Sequence, residues 1–157
     1  MAVSLDTFDR EFNIHPRNKQ LPCKRLAYAG LNVAYGLTNF PTNGPFPTTI
    51  DQENLPDGIQ ISISYDQEFI WNNSETQGFY ICTQPDFETC INQAGMFQKI
   101  TSPVSVTDQS LSFKVDSSTI AVAYLWETTP VLGTEALPIY ANNEFKLPGA
   151  PWMIMID

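Results

Sequence analysis

The sequence predicts a mainly β protein, in which an antiparallel β-sandwich from about residue 48 onward is preceded by one strand and one helix. Apolar and polar residues alternate along several short segments after residue 48, as they do on half-buried strands. Turn residues separate these segments roughly every dozen residues, a spacing typical of sandwiches. Before residue 37, a short apolar run is followed by a segment with helical periodicity.

Composition supports a folded domain and excludes some partners. The 157 residues are 43% hydrophobic and 12% aromatic, enough to form a core. Eight basic residues against seventeen acidic ones give a net charge of −9, which argues against nucleic acid and anionic membranes as partners. The sequence contains no apolar run of about 18 residues, so we expect no membrane span.

The N-terminal residues predict a strand followed by an amphipathic helix. Residues 1–6 have the pattern of a short buried strand, and residues 18–35 that of a helix. Pro22 is tolerated in the first turn, and Gly36 provides a natural stop. One strand and one helix cannot bury a core alone. We therefore expect the apolar face of the helix, with Leu26 and Leu31, to look towards material outside this chain.

Residues 38–48 contain three prolines and a glycine, which indicates a linker between residues 1–37 and a sandwich of residues 49–157. Residues 135–151 are too rich in proline for a strand and predict a long surface loop. The predicted strands are residues 59–65, 68–71, 79–83, 111–115, 119–126 and 152–156. The side chains expected to point into the core are Tyr65, Phe79, Phe113, Val122, Tyr124 and Trp126.

His15 is the only histidine of the chain and the residue best suited to proton transfer near neutral pH. It lies between the predicted strand and helix, where α/β esterases place their general base. The sequence has no Gly-x-Ser-x-Gly, Gly-Asp-Ser or Gly-Gln-Ser motif that would carry a nucleophile. The pattern predicts part of an enzyme, although a lone histidine is also compatible with a plain surface or core position.

The cysteines and a sequon point to the secretory pathway. Cys82 and Cys90 flank a polar turn between two apolar runs, which predicts a disulfide closing a strand-to-strand loop. Cys23 is left as an unpaired thiol or a link to another chain, and three reduced cysteines in the cytosol stay an open alternative. Asn72 begins a glycosylation sequon. We expect a secreted or lysosomal protein whose signal peptide lies upstream of this chain.

Two stretches of the chain carry an ordered set of motifs. The first is Ile14-His15-Pro16-Arg17-Asn18-Lys19-Gln20, with the helix end Ala34-Tyr35-Gly36 and the later Gly44-Pro45. The second comprises residues 120–126, 136–138 and 150–152. The first stretch resembles the sialate O-acetylesterase family, and the second is similar to the C-terminal end of the same family. The match is collinear and covers only the C-terminal part of the family's usual length. It implies that residues 1–37 are the last strand and helix of an SGNH-type α/β hydrolase core.

The resemblance also implies a mechanism and partners. His15 matches the family's catalytic histidine, while the nucleophilic serine and the oxyanion-hole residues lie upstream in the family. Related hydrolases place an aspartate three residues before the histidine, where this chain has Phe12. Asp9 is therefore the candidate acid, with Asp6 in reserve. The implied partners are O-acetylated sialic acid or a sialoglycoconjugate, and an N-terminal hydrolase portion. No metal or organic cofactor is expected.

Two other functions remain open at this stage. In one, the chain is a non-catalytic β-sandwich that binds a ligand or serves a structural role, with His15 vestigial. In the other, it is the second chain of a processed two-chain enzyme, joined to its partner through Cys23.

Overall fold

A computed structural model describes residues 3–4, 6–7, 19–72, 78–92, 95–126 and 137–156. The helices are α1 (Gln20–Tyr35) and α2 (Phe87–Asn92). The strands are β1 (Pro47–Leu55), β2 (Gly58–Tyr65), β3 (Phe69–Trp71), β4 (Phe79–Cys82), β5 (Gln98–Lys99), β6 (Ser105–Val106), β7 (Ser110–Val115), β8 (Ala121–Tyr124), β9 (Ile139–Ala141) and β10 (Trp152–Met155).

The strands form two four-stranded antiparallel sheets and a two-stranded one, which confirms the predicted mainly β class. The first sheet has the order β1-β2-β7-β6 and the second the order β10-β8-β4-β5, while β3 pairs with β9. In the first sheet, alternate residues of β2 and β7 are buried, as period-two patterning predicts. Ile61 of β2 lies opposite Phe113 of β7, and Ile63 lies opposite Leu111.

Aromatic rings from both sheets meet in one core. Phe79 of β4 has its ring centroid 5.0 Å from that of Phe113 in the opposite sheet. The same ring lies 5.0 Å from Tyr124 and 6.0 Å from Trp152 in its own sheet. All four side chains are buried. The core therefore joins the two sheets through direct ring contacts.

The second sheet is covered on its outer face as well. All four residues of β8 are buried. Val122 and Tyr124 belong to the core between the sheets, whereas Ala121 clusters with Cys82 and with Cys90 of α2, against which Met96 packs. A disulfide joins Cys82 to Cys90 with the Cα atoms 6.1 Å apart, which confirms the predicted pairing. The predicted strand-to-strand loop is wrong, however, since Cys90 lies on α2.

The polar strand β1 was not predicted, because its residues lack the alternation of a half-buried strand. Most of its side chains are exposed, since β1 is the edge strand of its sheet. It pairs with β2 from Leu55 opposite Gly58 to Pro47 opposite Tyr65, with an irregularity between Pro47 and Thr49. The last two residues of the predicted linker therefore belong to this strand.

The prediction of a surface loop over residues 135–151 is wrong for its described part. Residues 139–141 form β9, and Leu137, Pro138, Leu147 and Pro148 are buried. The prolines fit because Pro138 precedes the strand and Pro148 follows it, so neither removes a hydrogen bond within the β3–β9 pairing.

Trp126 was predicted to be in the core, but its side chain is 45% exposed. The other five predicted core side chains are buried. The strand ends at Tyr124, and the next residue, Leu125, has a left-handed backbone with φ of 53°. This change of direction breaks the alternation, so Trp126 turns outward.

The predicted helix is confirmed as α1, which has Pro22 in its first turn and ends at Gly36 in the left-handed conformation. The predicted strand over residues 1–6 is not observed in its described part. Val3 and Ser4 are not in a strand, and the backbone N–H of Thr7 donates to the carbonyl of Ser4, which closes a turn. Within the described residues, we find no helix whose length and hydropathy would let it cross a bilayer.

Two buried tyrosines predict a loss of stability at alkaline pH. Burial raises the pKa of Tyr65 and Tyr124 above the ordinary value of 10.0. Above pH 10 the unfolded chain loses these protons first, so the free energy of unfolding falls as the pH rises, by up to about 1.4 kcal/mol per pH unit for each tyrosine. Urea unfolding at pH 8 and pH 11 measures this, and Tyr65→Phe should reduce the slope. Equal stability at both pH values would contradict the prediction.

Candidate functional site

A buried ion pair joins the N-terminal residues to helix α1. Nη1 of Arg25 lies 2.6 Å from Oδ1 of Asp6, and Nη2 lies 2.7 Å from Oδ2. The Arg25 and Asp6 side chains are only 5% and 4% exposed. Nη1 also donates to the carbonyl oxygen of Val3 at 2.9 Å. The guanidinium therefore holds both the side chain and the backbone of the N-terminal segment.

Tyr140 of β9 completes this cluster. The backbone N–H of Leu137 donates to the Tyr140 hydroxyl at 3.1 Å, so the hydroxyl accepts there and uses its own proton elsewhere. That proton goes to Oδ2 of Asp6 at 2.8 Å. Burial, followed by the negative charge of Asp6, raises the pKa of Tyr140 above its ordinary value. The tyrosine consequently remains a donor across the physiological pH range.

The ion pair lies beside a groove of about 560 Å³. Arg25 and Val3 lie at one side of it, and the exposed rings of Trp126 and Phe46 are among the residues that line it. The rest of the lining comes from Thr42, Asn43, Gly44, Leu147, Pro148, Ala150 and Pro151. Such a mainly apolar recess with few polar groups is suited to a small ligand or to a packed side chain.

Gly44 allows two walls of the groove to meet. A Cβ atom at this position would overlap the backbone carbonyl oxygens of Pro148 and Leu147. Phe46, two residues further on, donates its backbone N–H to Oδ1 of Asp66, and the N–H of Asp66 donates to the Phe46 carbonyl. The segment between α1 and β1 is thus packed onto the sandwich over these residues.

Helix α1 faces the sandwich with a polar and aromatic stripe. Arg25, Tyr28 and Asn32 are spaced by one and two helical turns and share a face. The Tyr28 ring stacks on Phe40 at 5.6 Å and meets Phe145 edge-on at 5.0 Å. Nδ2 of Asn32 donates to the Phe40 carbonyl oxygen at 2.6 Å.

The opposite face of α1 is apolar and exposed. Leu26 and Val33 are 57% and 77% exposed, while Leu31 is half-buried. A Cβ atom added to Gly30 would meet no atom of the described residues within 4 Å. The other exposed small residues of this face are Cys23, Ala27 and Ala34. We call Cys23, Leu26, Ala27, Gly30, Val33 and Ala34 the outer face of α1.

The predicted catalytic residues His15 and Asp9 lie outside the described residues, so their roles stay predictions. Asp6, the reserve acid, is within them. Both of its carboxylate oxygens are hydrogen-bonded, to Arg25 and to Tyr140. The structure thus gives Asp6 a partner other than a histidine.

The remaining predicted positions have distinct surroundings. Cys23 is an exposed free thiol on α1. Asn72, predicted to carry a glycan, is half-buried, and its Nδ2 donates to the Leu137 carbonyl oxygen at 3.2 Å. A glycosylated amide nitrogen keeps one hydrogen, so this bond is compatible with modification. Asn73 and Ser74 lie outside the described residues.

Sequence reasoning missed the roles of Arg25 and Tyr140. The spacing of Arg25, Tyr28 and Asn32 is a helical stripe that was available in the sequence but was hidden by the stronger apolar pattern. Tyr140 had no such signal, because its partner Asp6 lies 134 residues away.

Comparison with known proteins gives a consistent result. A family model described as "Sialate O-acetylesterase C-terminal domain" matches residues 53–156. The chain is similar to proteins named sialate O-acetylesterase from Homo sapiens, with 30% identity, and from Pongo abelii, with 29%, each over 99% of the chain. The protein of that name from Mus musculus is 29% identical over the whole chain. The chain spans 28–29% of the length of these relatives.

The buried ion pair predicts a specific pattern of stability. Asp6→Ala leaves the Arg25 charge buried without a partner and should lower the free energy of unfolding by about 3–5 kcal/mol. The double variant Asp6→Ala/Arg25→Met removes both charges and should be more stable than Asp6→Ala alone. Urea unfolding of both variants and of the parent measures this.

The matched control is Asp57→Ala, which breaks the exposed pair of Asp57 with Lys114. Its effect should be much smaller, because both groups return to water. A double variant no more stable than Asp6→Ala would contradict the role given to the unpaired charge.

Proposed function

Because the chain belongs to the family of the sialate O-acetylesterase C-terminal domain, we propose that it forms the C-terminal part of an enzyme that hydrolyses O-acetyl esters of sialic acids. The family match over residues 53–156 carries this proposal. It is supported by relatives of that name that align with 99% of the chain, including the residues before the family match. The substrate would be an O-acetylated sialic acid, free or in a sialoglycoconjugate.

The proposed reaction is acyl transfer through a Ser-His-Asp triad whose serine lies outside this chain. The serine Oγ attacks the acetyl carbonyl carbon while His15 Nε2 accepts the hydroxyl proton, and backbone donors stabilise the oxyanion. The intermediate then releases the sugar oxygen, which takes the proton from His15. Water, deprotonated by His15, next attacks the acetyl-enzyme, and acetate is released as the serine oxygen takes the proton back from His15.

We assign the orienting carboxylate to Asp9. Among the two candidates, Asp6 is the bidentate partner of Arg25 and the acceptor of the Tyr140 proton. A carboxylate so engaged and only 4% exposed has little capacity left for an imidazole N–H.

The outer face of α1 is the proposed contact with the hydrolase portion that carries the serine. This face is apolar, exposed and centred on Gly30 and other small residues, which permit close approach of another element. Exposed apolar patches of this kind mark interaction surfaces. The relatives are more than three times as long as this chain, which leaves room for such a portion.

We also propose that the protein is secreted or lysosomal. The disulfide between Cys82 and Cys90 supports this, because such bonds persist in oxidising compartments. The sequon at Asn72 supports it too. Mass spectrometry of the protein purified from its native source tests both, since reduced Cys82 and an unmodified Asn72 would contradict the proposal.

The first test is substitution in the complete enzyme. His15→Ala should lower kcat/KM by about 10⁴-fold or more, and Asp9→Asn by more than tenfold but by less than His15→Ala, as expected for members of a triad. Hydrolysis of O-acetylated sialic acid measures this, with circular dichroism to verify folding. Asp57→Asn is the control and should leave kcat/KM unchanged.

Retention of more than about a tenth of the activity by His15→Ala would overturn the assignment. If the chain on its own also bound the substrate, with a dissociation constant unaffected by His15→Ala, the result would favour a non-catalytic binding module.

The second test concerns the outer face of α1. A Cβ atom at position 30 meets none of the described residues, so Gly30→Leu should stabilise the isolated chain by about 0.5–1 kcal/mol through helix propensity. In the complete enzyme the added bulk should weaken packing and lower the melting temperature. Val33→Glu should also lower the melting temperature of the complete enzyme. Ile91→Glu, at the exposed apolar position of α2, is the matched control. An equal effect of Gly30→Leu in both proteins would exclude this face as the contact.

A further inference from the structure

The groove beside the ion pair is lined by two large aromatic side chains that the core does not use. Of the three tryptophans, only Trp126 is exposed, at 45%. Trp71 and Trp152 instead have their ring centroids within 6.3 Å of that of Phe79 in the core. Phe46, which also lines the groove, is 47% exposed. Aromatic rings left exposed in one recess are typical of a binding site.

The backbone turns Trp126 into the groove at an energetic cost. Leu125, which precedes it, has a φ of 53°, a left-handed conformation that is unfavourable for leucine. The Leu125 side chain is buried, and its N–H donates to the Gly78 carbonyl oxygen at 2.9 Å, so packing and hydrogen bonding hold the residue there. Strained residues held by their surroundings concentrate at functional sites. The strain at Leu125 therefore points to a role for the exposed ring that follows it.

One wall of the groove is fixed by backbone hydrogen bonds to β9. The carbonyl oxygen of Leu147 accepts the N–H of Ala141 at 2.8 Å, and the N–H of Gly149 donates to the Ile139 carbonyl oxygen at 2.9 Å. These bonds hold residues 147–151 against the strand that the core positions. The recess is thus pre-formed, as small-molecule sites usually are.

The chemistry of the lining suits a neutral sugar. Among the described residues that line the groove, Arg25 is the only charged one, and it is paired with Asp6. Thr42 and Asn43 add hydroxyl and amide groups to the lining. A pyranose has one face of C–H groups and a rim of hydroxyls, so it can pack on an aromatic ring while its hydroxyls bind polar side chains. The volume of about 560 Å³ is in the range of small-molecule sites.

We propose that this groove binds the neutral sugars to which a sialic acid is attached in a sialoglycoconjugate, with Trp126 as the ring on which a pyranose stacks. The choice of a sugar rests on the proposed function. The sialic acid itself is not the expected occupant, because its carboxylate requires a cation and the Arg25 guanidinium is engaged by both oxygens of Asp6.

The first experiment measures the binding of lactose, a neutral disaccharide, to this chain. Lactose should give saturable signals in saturation-transfer NMR and a blue shift of tryptophan fluorescence, because it covers the exposed ring of Trp126. Trp126→Ala should weaken binding by about tenfold or more, as expected for loss of an aromatic anchor, and should abolish the blue shift. Trp126→Phe keeps a smaller ring and should weaken binding less. Free N-acetylneuraminic acid should not compete with lactose.

Tyr35→Ala is the matched control, because this ring is 77% exposed at the end of α1 and is not among the residues that line the groove. It should leave lactose binding unchanged, with circular dichroism to verify that each variant is folded. Absence of lactose binding to the parent chain, or equal binding by Trp126→Ala, would overturn the proposal. If the Trp126 variants unfold, Asn43→Ala decides the outcome, since it should weaken binding several-fold.

The second experiment uses the complete enzyme with two O-acetylated substrates, free sialic acid and sialyllactose. Trp126→Ala should lower kcat/KM for the sialyllactose ester about tenfold more than for the free sialic acid ester. The difference should appear mainly in KM, because the lactose part is bound equally in the ground state and the transition state. An equal effect on the two substrates would overturn the proposal.

The two experiments together separate this site from the proposed function. Lactose binding that depends on Trp126, in an enzyme that hydrolyses neither ester, would refute the proposed function and leave the sugar site intact. Hydrolysis of both esters without lactose binding would refute the sugar site and leave the proposed function intact. Lactose binding by this chain but not by the complete enzyme would show that the hydrolase portion covers the groove, which would also overturn the proposal.

Discussion

The contact on which the sandwich depends is the ring cluster around Phe79. Its side chain, fully buried, meets Phe113 from the opposite sheet and Tyr124 and Trp152 from its own. Large rings in contact bury extensive apolar area and fix the spacing of the two sheets. The hydroxyl of Tyr124 also accepts the backbone N–H of Ile139 at 3.2 Å. The core cluster thereby sets the position of β9, and with it that of Tyr140.

The N-terminal segment and α1 are attached to this scaffold by a different kind of contact. They are held by the ion pair of Arg25 and Asp6, the Tyr140 hydroxyl and the Tyr28 ring contacts, while the apolar outer face of α1 points away. The hydrophobic effect has no preferred direction, whereas a bidentate ion pair specifies one relative orientation of its two groups. A junction made in this way favours precision of placement over strength.

Sequence patterns located the elements that are buried on one face or limited by a local signal. Alternation predicted β2 and β7, and the continuous apolar run predicted β8, which is buried on both faces. The same reasoning failed for β1, because an exposed edge strand has no apolar face to detect. It failed for β9, whose strand spans only Ile139–Ala141 between prolines, and for Trp126, which follows the left-handed Leu125.

The features of the candidate site also divide into those that the sequence predicts and those that only the fold reveals. The sequence by itself determined the limits of α1 through Pro22 and Gly36, the pairing of Cys82 with Cys90, and the family to which the chain belongs. These depend on neighbouring residues or on an ordered set of motifs. Only the tertiary structure decided that Arg25, Asp6 and Tyr140 meet, that a groove lies beside them, and which face of α1 remains exposed. The reason is physical, because local sequence sets only the backbone propensity of each segment. The buried carboxylate of Asp6 meets Tyr140, 134 residues away, only once the chain has folded, and such a contact leaves no local pattern.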